Sequence, residues 1–362
     1  MEKSFRILVI NPGSTSTKVA VFENERCLGE KDLKHSSDEL TKYDSALDQL
    51  DMRRTAILNY LCEIGIRIED IDAIGARGAG RWGRYKAGAY EINKQMRDDC
   101  MEKGGTHGSQ LSAILAYDWA QALGIKAYVY DVVPVDEMWD VCRISGSPLI
   151  ERQGASHTLN TKATARVVAA EMGKRYEDVT FIMCHMGGGI GVNLHHHGQI
   201  IDVTSNDEGT FSPARAGRVP CLTLAKMCYS GKYTWQDINY LMNDRGGLVG
   251  YLGTNDCREV EERIKNGDKK AALVYEAMAL QVAKDIGTMA VVVNGEVDRI
   301  VLTGGIAHSE MMCGMITSRV KFIAPVVVKP GEMEQEALAN GVLRVLQGKE
   351  KAWVYEPGIN PA

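Results

Sequence analysis

A short apolar run that stops at Asn-Pro-Gly and turns back into alternating sequence stands near the start of this chain, and its layout returns in the second half. Phe5 to Ile10 reads as a buried strand and Asn11-Pro12-Gly13 as the turn that ends it. Thr17 to Phe22 is the returning strand, and Arg26 to Leu33 is a third after the polar turn Glu23-Asn24-Glu25. From Val179 to Val203 the order recurs: a strand to Cys184, the turn His185-Met186-Gly187-Gly188-Gly189, and a strand through Val192 and Leu194. A polar turn from His195 to Gly198 and a closing strand Gln199 to Val203 complete it. An offset of 174 residues sets Asn11 against His185 and Gly13 against Gly187. Two copies of one meander predict an internal duplication of a whole domain.

Between and after the copies, helix and strand patterns alternate. Ser109 to Leu123 puts Leu111, Ile114, Leu115 and Trp119 on one face and stops at Gly124, the pattern of a helix with a glycine terminator. It feeds a strand from Ala127 to Val133 with Asp131 inside it. Later, Ala271 to Val293 reads as a long helix and Arg299 to Leu302 as a strand running into Thr303-Gly304-Gly305. Phe322 to Val328 reads as the last strand and Glu334 to Leu346 as the last helix. The class is α/β with mixed sheets, because the meanders are antiparallel and the rest alternates with helices. A chain of 362 residues exceeds one ordinary core, which again gives two domains, with a boundary near Asp131 to Asp136.

Composition narrows the function classes. With 45% hydrophobic and 25% charged residues the chain is a soluble globular protein rather than a disordered, collagen-like or disulfide-scaffold one. Ile7 to Ile10 is too short for the core of a signal peptide, and Glu, Gln, Lys or Asp interrupts every long apolar stretch, so neither secretion nor a membrane span is expected. Nine cysteines without a CxxC pair point to reduced thiols and a cytoplasmic location. A net charge of −5 disfavours a nucleic-acid partner. Two basic clusters oppose that total: Arg77, Arg81, Arg84 and Lys86, then Arg215 and Arg218. They suggest small anionic ligands, the alternative being solvated surface charge.

Asn11 to Lys18 joins two strands and offers backbone N–H groups, hydroxyls and a lysine, which suits phosphate; the bland alternative is a hairpin rich in turn formers. It is no Walker A loop, since a strand follows it where that motif needs a helix. Gly78, Gly80 and Gly83 spell GxGxxG, but Arg81, Trp82 and Arg84 surround them and no helix opening follows. The glycines of His185 to Gly191 again suit close approach to phosphate. His195-His196-His197 invites a metal, yet neighbours along a strand face opposite sides. Gly304-Gly305 can seat a base or ribose, or simply make a tight connection.

NPGSTSTK at Asn11, HMGGGIG at His185, DEGTFSPARAG at Asp207, GGLVGYLGTND at Gly246 and IVLTGGIA at Ile300 together resemble the acetokinase family. The resemblance spans essentially the whole chain, including Tyr130 to Gly146 and Phe322 to Gly341. It implies the duplicated two-domain actin-like (ribonuclease H-like) ATPase fold. An N-terminal domain would cover residues 1–130, completed by a C-terminal helix at about 337–362, and a nucleotide-binding domain would cover 131–336. It implies a carboxylate kinase that moves the γ-phosphoryl group of ATP, with Mg²⁺, onto butyrate or a related short-chain fatty acid. The products are an acyl phosphate and ADP, the reaction is reversible, and a homo-oligomer is expected.

By the same resemblance Asn11, Arg77, His157 and Arg215 surround the transferred phosphoryl group. Gly13, Ser14, Ser16 and Lys18 form the first phosphate loop, His185 with Gly187, Gly188 and Gly189 the second, and Gly304 with Gly305 the adenosine loop. Asp131 and either Glu334 or Glu336 are the metal-associated carboxylates, and Ala79 and Ser156 border the acyl chain. Three departures stand out: Ala216 replaces the usual serine after Arg215, Arg218 follows where a small residue is common, and Ser156 precedes His157 where an aromatic is usual. They bear on the acyl chain, which leaves a branched-chain or other short-chain acid as the alternative substrate.

The chemistry agrees with that residue set. A carboxylate is ionised at neutral pH and needs no base to attack phosphorus, so the obstacle is repulsion between two anions. Cations and fixed donors on the equatorial oxygens answer it. A sugar kinase would instead need a base for a neutral hydroxyl. A non-catalytic nucleotide sensor would need neither arginine.

Overall fold

The computed structural model describes residues 3–78, 80, 83–102, 108–205 and 207–356; Ala79, one of the two acyl-pocket candidates, lies outside them, as do Arg81 and Trp82. The chain divides into two compact units, one of Met1–Asp136 with Met333–Ala362 and one of Glu137–Glu332. The strands run in chain order as β1 (Arg6–Pro12), β2 (Ser16–Glu23), β3 (Arg26–Lys34), β4 (Ala73–Ala76), β5 (Ala89–Glu91) and β6 (Lys126–Tyr130). There follow β7 (Thr180–Met186), β8 (Ile190–His196), β9 (Gln199–Thr204), β10 (Arg299–Gly304), β11 (Val326–Pro330) and β12 (Trp353–Val354).

In the first unit the sheet order is β12-β5-β6-β4-β1-β2-β3, and in the second it is β11-β10-β7-β8-β9. Each sheet contains an antiparallel meander, β1-β2-β3 or β7-β8-β9, whose first strand lies parallel to a later one, β4 or β10. The irregularities match as well, since the register shifts between Val21 and Phe22 in one copy and between Leu194 and His195 in the other. An extra residue at the same place in two sheets is a trace of common ancestry that a shared hydrophobic pattern alone would not leave.

Alternation along the strands decides which helix covers which face. In the first unit Leu8, Ile10 and Ile74 share a cluster with Ile114 and Leu115 of the helix Gln110–Leu123. Gly75, pointing the other way, meets Leu338 and Val342 of the helix Glu334–Leu346. In the second unit Ile182 and Cys184 pack with Met278, Val282 and Ile286 of the helix Lys269–Val292. Phe181 and Met183 pack with Ala165 and Val168 of the helix Thr158–Glu171. Central strands covered on both faces are buried at every position, as β7 is, and each such Ile, Val or Phe contributes about 1.5–3 kcal/mol.

Several boundaries differ from the sequence reading. β6 ends at Tyr130, because Asp131 takes a left-handed backbone (φ 42°) that leaves the ladder. The long helix opens at Lys269 because the Asp268 carboxylate caps it, accepting from the Ala271 N–H at 3.0 Å. Residues Lys321 to Ile323 turn out of the helix Glu310–Val320 through bonds to Thr317 and Val320, so the last long strand starts at Val326 rather than Phe322. No described helix is long and apolar enough to cross a membrane.

Candidate active site

In the first unit β1, β4 and β6 are neighbours and parallel, so their carboxyl ends lie side by side. Open α/β sheets bind ligands outside such ends. Asn11 stands at the end of β1, Arg77 directly follows β4 and Asp131 directly follows β6. The Arg77 N–H extends the ladder by donating to the Ile10 carbonyl at 3.2 Å. The first residue of the helix Glu334–Leu346 joins them: Glu334 accepts from Asn11 Nδ2 at 2.8 Å through Oε2 and from Arg77 Nη2 at 3.3 Å through Oε1. The Arg77 side chain is almost wholly buried, and among the described residues its Nη1 has no hydrogen-bond partner. A buried guanidinium with donors left over is costly unless an anion takes them.

That geometry separates the two glutamates the sequence left open. Glu334 meets Asn11 and Arg77, whereas Glu336 faces Glu30 and Cys27, whose pKa values it helps to raise after burial has done most of the work. Asp131 is 1% exposed and clasps Gly88 from both sides: its Oδ1 accepts from the Gly88 N–H at 2.8 Å, and its own N–H donates to the Gly88 carbonyl at 3.1 Å.

The loop from Asn11 to Lys18 contains a tight turn in which the Gly13 N–H donates to the Ser16 carbonyl at 2.8 Å. Pairing of Asn11 with Lys18 across β1 and β2 places the lysine opposite the asparagine. Gly108, before the helix Gln110–Leu123, comes so close to the loop that a Cβ there would lie 2.5 Å from the Gly13 carbonyl oxygen.

In the second unit β7 and β8 are joined by the Gly187–Gly189 turn, closed by a 2.9 Å bond from the Gly187 N–H to the Gly189 carbonyl. His185, at the end of β7, is buried, and its ring stacks on His157 with centroids 3.9 Å apart and planes 10° apart. Asn160 Nδ2 donates to His185 Nδ1 at 3.0 Å, so the proton of the neutral ring sits on Nε2, which lies 3.7 Å from Glu332 Oε1. The Arg215 loop is tied to the same turn. Ser212 Oγ donates to the Gly188 carbonyl at 2.8 Å, and Arg215 closes on Ser212 with its N–H donating to that Oγ at 3.3 Å and its carbonyl accepting from the Ser212 N–H at 3.0 Å. Gly304 ends β10 and exchanges two 3.0 Å backbone bonds with Gly331, while Gly305 opens a short 3₁₀ turn. Ser156 is buried, and its Oγ lies 3.0 Å from Thr158 Oγ1 at the start of the helix Thr158–Glu171.

Some expectations of charge and chelation resolve into structure. Arg218 does not accompany Arg215: its Nη2 pairs at 2.6 Å with Asp285, a fully buried carboxylate whose pKa burial pushes up. Each histidine of the triplet has its own partner: His195 Nδ1 has the Tyr176 hydroxyl, His196 Nδ1 the Thr180 hydroxyl and His197 Nδ1 the Glu177 carbonyl. Among the described residues no three His, Cys, Asp or Glu side chains gather as a metal site. Arg53, Asn160, Ser212 and Glu332 escaped the sequence reading. Arg53 carried a signal, because it stands on the stripe of Ile57 and Leu61 along the helix Leu50–Glu63, where an apolar residue belongs.

Comparison with known proteins gives the family and the fold. The family model described as the acetokinase family matches residues 117–324. Butyrate kinase 1 of Clostridium acetobutylicum is 46% identical over 356 residues, 97% of this chain and 100% of that protein. A probable butyrate kinase 2 of Caldanaerobacter subterraneus subsp. tengcongensis is 46% identical over 353 residues, 97% of this chain and 99% of its own length. The crystal structure of acetate kinase from Porphyromonas gingivalis superimposes with a TM-score of 0.78 at 19% identity, covering 94% of this chain and 100% of that one, which gives the duplicated actin-like fold. On a family match over more than half its length and two such relatives over nearly all of it, the chain belongs to the acetokinase family.

Proposed function

We propose that this protein transfers the γ-phosphoryl group of ATP to butyrate or a related short-chain carboxylate, giving an acyl phosphate and ADP, and that it runs in the ATP-forming direction as well. The structural observation that carries the reading is Arg77, a buried cation with Nη1 unsatisfied, at the carboxyl edge of the sheet beside the Asn11 amide. The butyrate kinases that match end to end supply the acid.

In this reading Arg77 and Arg215 neutralise the phosphoryl oxygens, and Asn11 and His157 donate to them as charge develops. Gly13, Ser14, Ser16 and Lys18 of the first unit, and His185 with Gly187, Gly188 and Gly189 of the second, hold the nucleotide phosphates; Gly304 and Gly305 face the adenosine. Asp131 and Glu334 are the carboxylates that would hold Mg²⁺, which takes few carboxylates and keeps waters and phosphate oxygens in its shell. When bound it neutralises phosphate charge. No general base is required, and Glu334, which already accepts two hydrogen bonds, is placed to orient Arg77 and Asn11.

Ser156 and Ala79 border the alkyl tail in this proposal, and small residues there favour four or five carbons. Each added methylene is worth about 0.8 kcal/mol, roughly fourfold. Exposed Leu222, Tyr229, Trp235 and Tyr240, on and beside the helices Cys221–Cys228 and Trp235–Asn243, support a homo-oligomer. Free cysteines throughout support a cytoplasmic compartment.

The test is hydroxylamine trapping of the acyl phosphate formed from ATP, Mg²⁺ and acids from acetate to valerate, with isobutyrate included. The expected outcome is a kcat/KM for butyrate, isobutyrate or valerate above that for acetate. Preference for acetate over all of them would overturn the acyl assignment, and no hydroxamate from any acid would overturn the kinase.

A further inference from the structure

Arg53 is fully buried in the first unit, far in sequence from the loop it touches, and every one of its nitrogens is engaged. Nε and Nη2 donate to Gln49 Oε1 at 3.1 and 2.8 Å. Nη1 donates to the Ser16 carbonyl and to Thr17 Oγ1, both at 2.9 Å, and Nη2 also donates to the Ser14 carbonyl at 3.2 Å. All these acceptors are neutral, and among the described residues no carboxylate stands within ion-pair distance of Arg53. A lone buried cation is expensive, and a protein normally gives it a carboxylate.

The groups that touch the guanidinium are neutral; the one carboxylate in contact with this network, Glu39, lies one residue further out, with Oε2 3.9 Å from His35 Nδ1. His35 Nε2 lies 2.9 Å from Thr17 Oγ1, and the His35 N–H donates to the Thr15 carbonyl at 2.9 Å. Thr17 Oγ1 accepts from Arg53, so its proton goes to the His35 ring, which is therefore neutral at Nε2. Burial, and after it Arg53 itself, holds the His35 pKa below the ordinary value.

The fork also fixes which way the loop faces. Carbonyl and following N–H point in opposite directions across a trans peptide. With the Ser14 carbonyl turned inward to Arg53, the Thr15 N–H faces the opposite way, and Ser14 and Thr15 are themselves exposed. We infer that Arg53 is a positioning residue for the first phosphate loop: from beneath, it orients the Ser14–Thr17 backbone and supplies an uncompensated positive charge that a nucleotide polyphosphate on the outer side answers. This rests on the reading of that loop as a phosphate site under the proposed function.

The test exploits Gln49. Gln49→Glu keeps the size and both acceptor contacts of the side chain but sets a carboxylate against the guanidinium, so it removes the net charge while sparing the geometry. Binding of ATP, ADP and adenosine to the full-length protein is measured by calorimetry, with thermal stability alongside. One unit charge acting across the thickness of a loop predicts ATP binding weaker by about fivefold or more, with adenosine unchanged and stability equal or higher. Arg53→Met should lower ATP affinity further, and Arg53→Lys should recover only part of it, because an ammonium lacks the fork. Unchanged ATP affinity in Gln49→Glu, or equal loss for ATP and adenosine, would overturn the inference even if Arg53→Met fails to fold. A wild-type protein that binds no ATP overturns the functional reading instead.

Discussion

Replacing Gly304 by alanine tests whether the end of β10 and the Gly187–Gly189 turn are built as one unit. Gly304 has φ 88° and ψ 176°, a backbone region that is essentially open to glycine alone. A Cβ there would stand 2.5 Å from the Met186 carbonyl oxygen and 2.8 Å from its carbonyl carbon and nitrogen, all of them backbone atoms that no rotamer change can move. The dihedral strain is worth about 1–3 kcal/mol, and the forced backbone shift about as much again. At roughly 2–4 °C per kcal/mol for a domain of this size, the melting temperature should fall by about 4–24 °C, measured by scanning calorimetry. Met186 immediately precedes Gly187, so the same shift disturbs the turn, and KM for ATP should rise together with the loss of stability. Gly305→Ala is the control: a Cβ there meets nothing within 4 Å, and stability should stay within about 0.5 kcal/mol of wild type. Gly304→Ala melting within about 2 °C of wild type would show that the two strand ends yield independently, and the argument from close approach would fail.

The other expectations concern charge. Arg77→Ala should lower kcat by about 100-fold with little change in KM for ATP, and Lys should not restore it, since Nη1 and Nη2 point to different places; steady-state kinetics check both. Arg215→Ala should show a similar fall in kcat, whereas Arg218→Ala should appear as lost stability, because it strands the buried Asp285. Glu334→Gln should reduce activity in a way that excess Mg²⁺ partly restores, while Glu336→Gln stays near wild type; a Mg²⁺ titration separates them. His195 is wholly buried, and its pKa is held well below the ordinary histidine value, first by burial and then by Lys162 and Arg166. The unfolded chain therefore takes up a proton at this position below about pH 6.5 that the folded chain refuses, and stability should fall by up to about 1.4 kcal/mol per pH unit below that point. His195→Gln should flatten this acid limb in chemical denaturation at pH 5 to 7.

Period-2 alternation was readable wherever one helix covers one face of a strand, which is why both meanders could be found without a structure. Termini were harder. Val132 and Val133 continue the apolar pattern past Tyr130, and Val132 is indeed buried, yet the left-handed Asp131 has already left the ladder. Burial outlives hydrogen bonding there, and a hydropathy pattern reports only burial. That Glu334 rather than Glu336 meets Asn11 and Arg77 was within reach of the sequence: Glu334 precedes Leu338 and Val342 at intervals of four, the stripe that meets Gly75, while Glu336 falls off it. Arg53 was marked in the same way, as a cation on an apolar stripe. The tie of Ser212 to Gly188 left no such mark, since nothing in local spacing says which distant carbonyl a serine will meet.

Basic clusters in the sequence are therefore poor guides to anion sites until the donors are accounted for. Arg215 and Arg218 look alike three residues apart, but the fold gives Arg218 to Asp285 and ties Arg215 to the Gly187–Gly189 turn through Ser212. Arg53 and Arg77 differ more instructively, since both are buried guanidiniums of the first unit. Every nitrogen of Arg53 already donates to the protein, so it acts on a ligand only through its field and through the loop it shapes. Arg77 holds one carboxylate, and among the described residues its Nη1 has no partner, which in the proposed function lets it touch the transferred group. Removing the first should weaken binding of the nucleotide phosphates, and removing the second should slow the transfer of one.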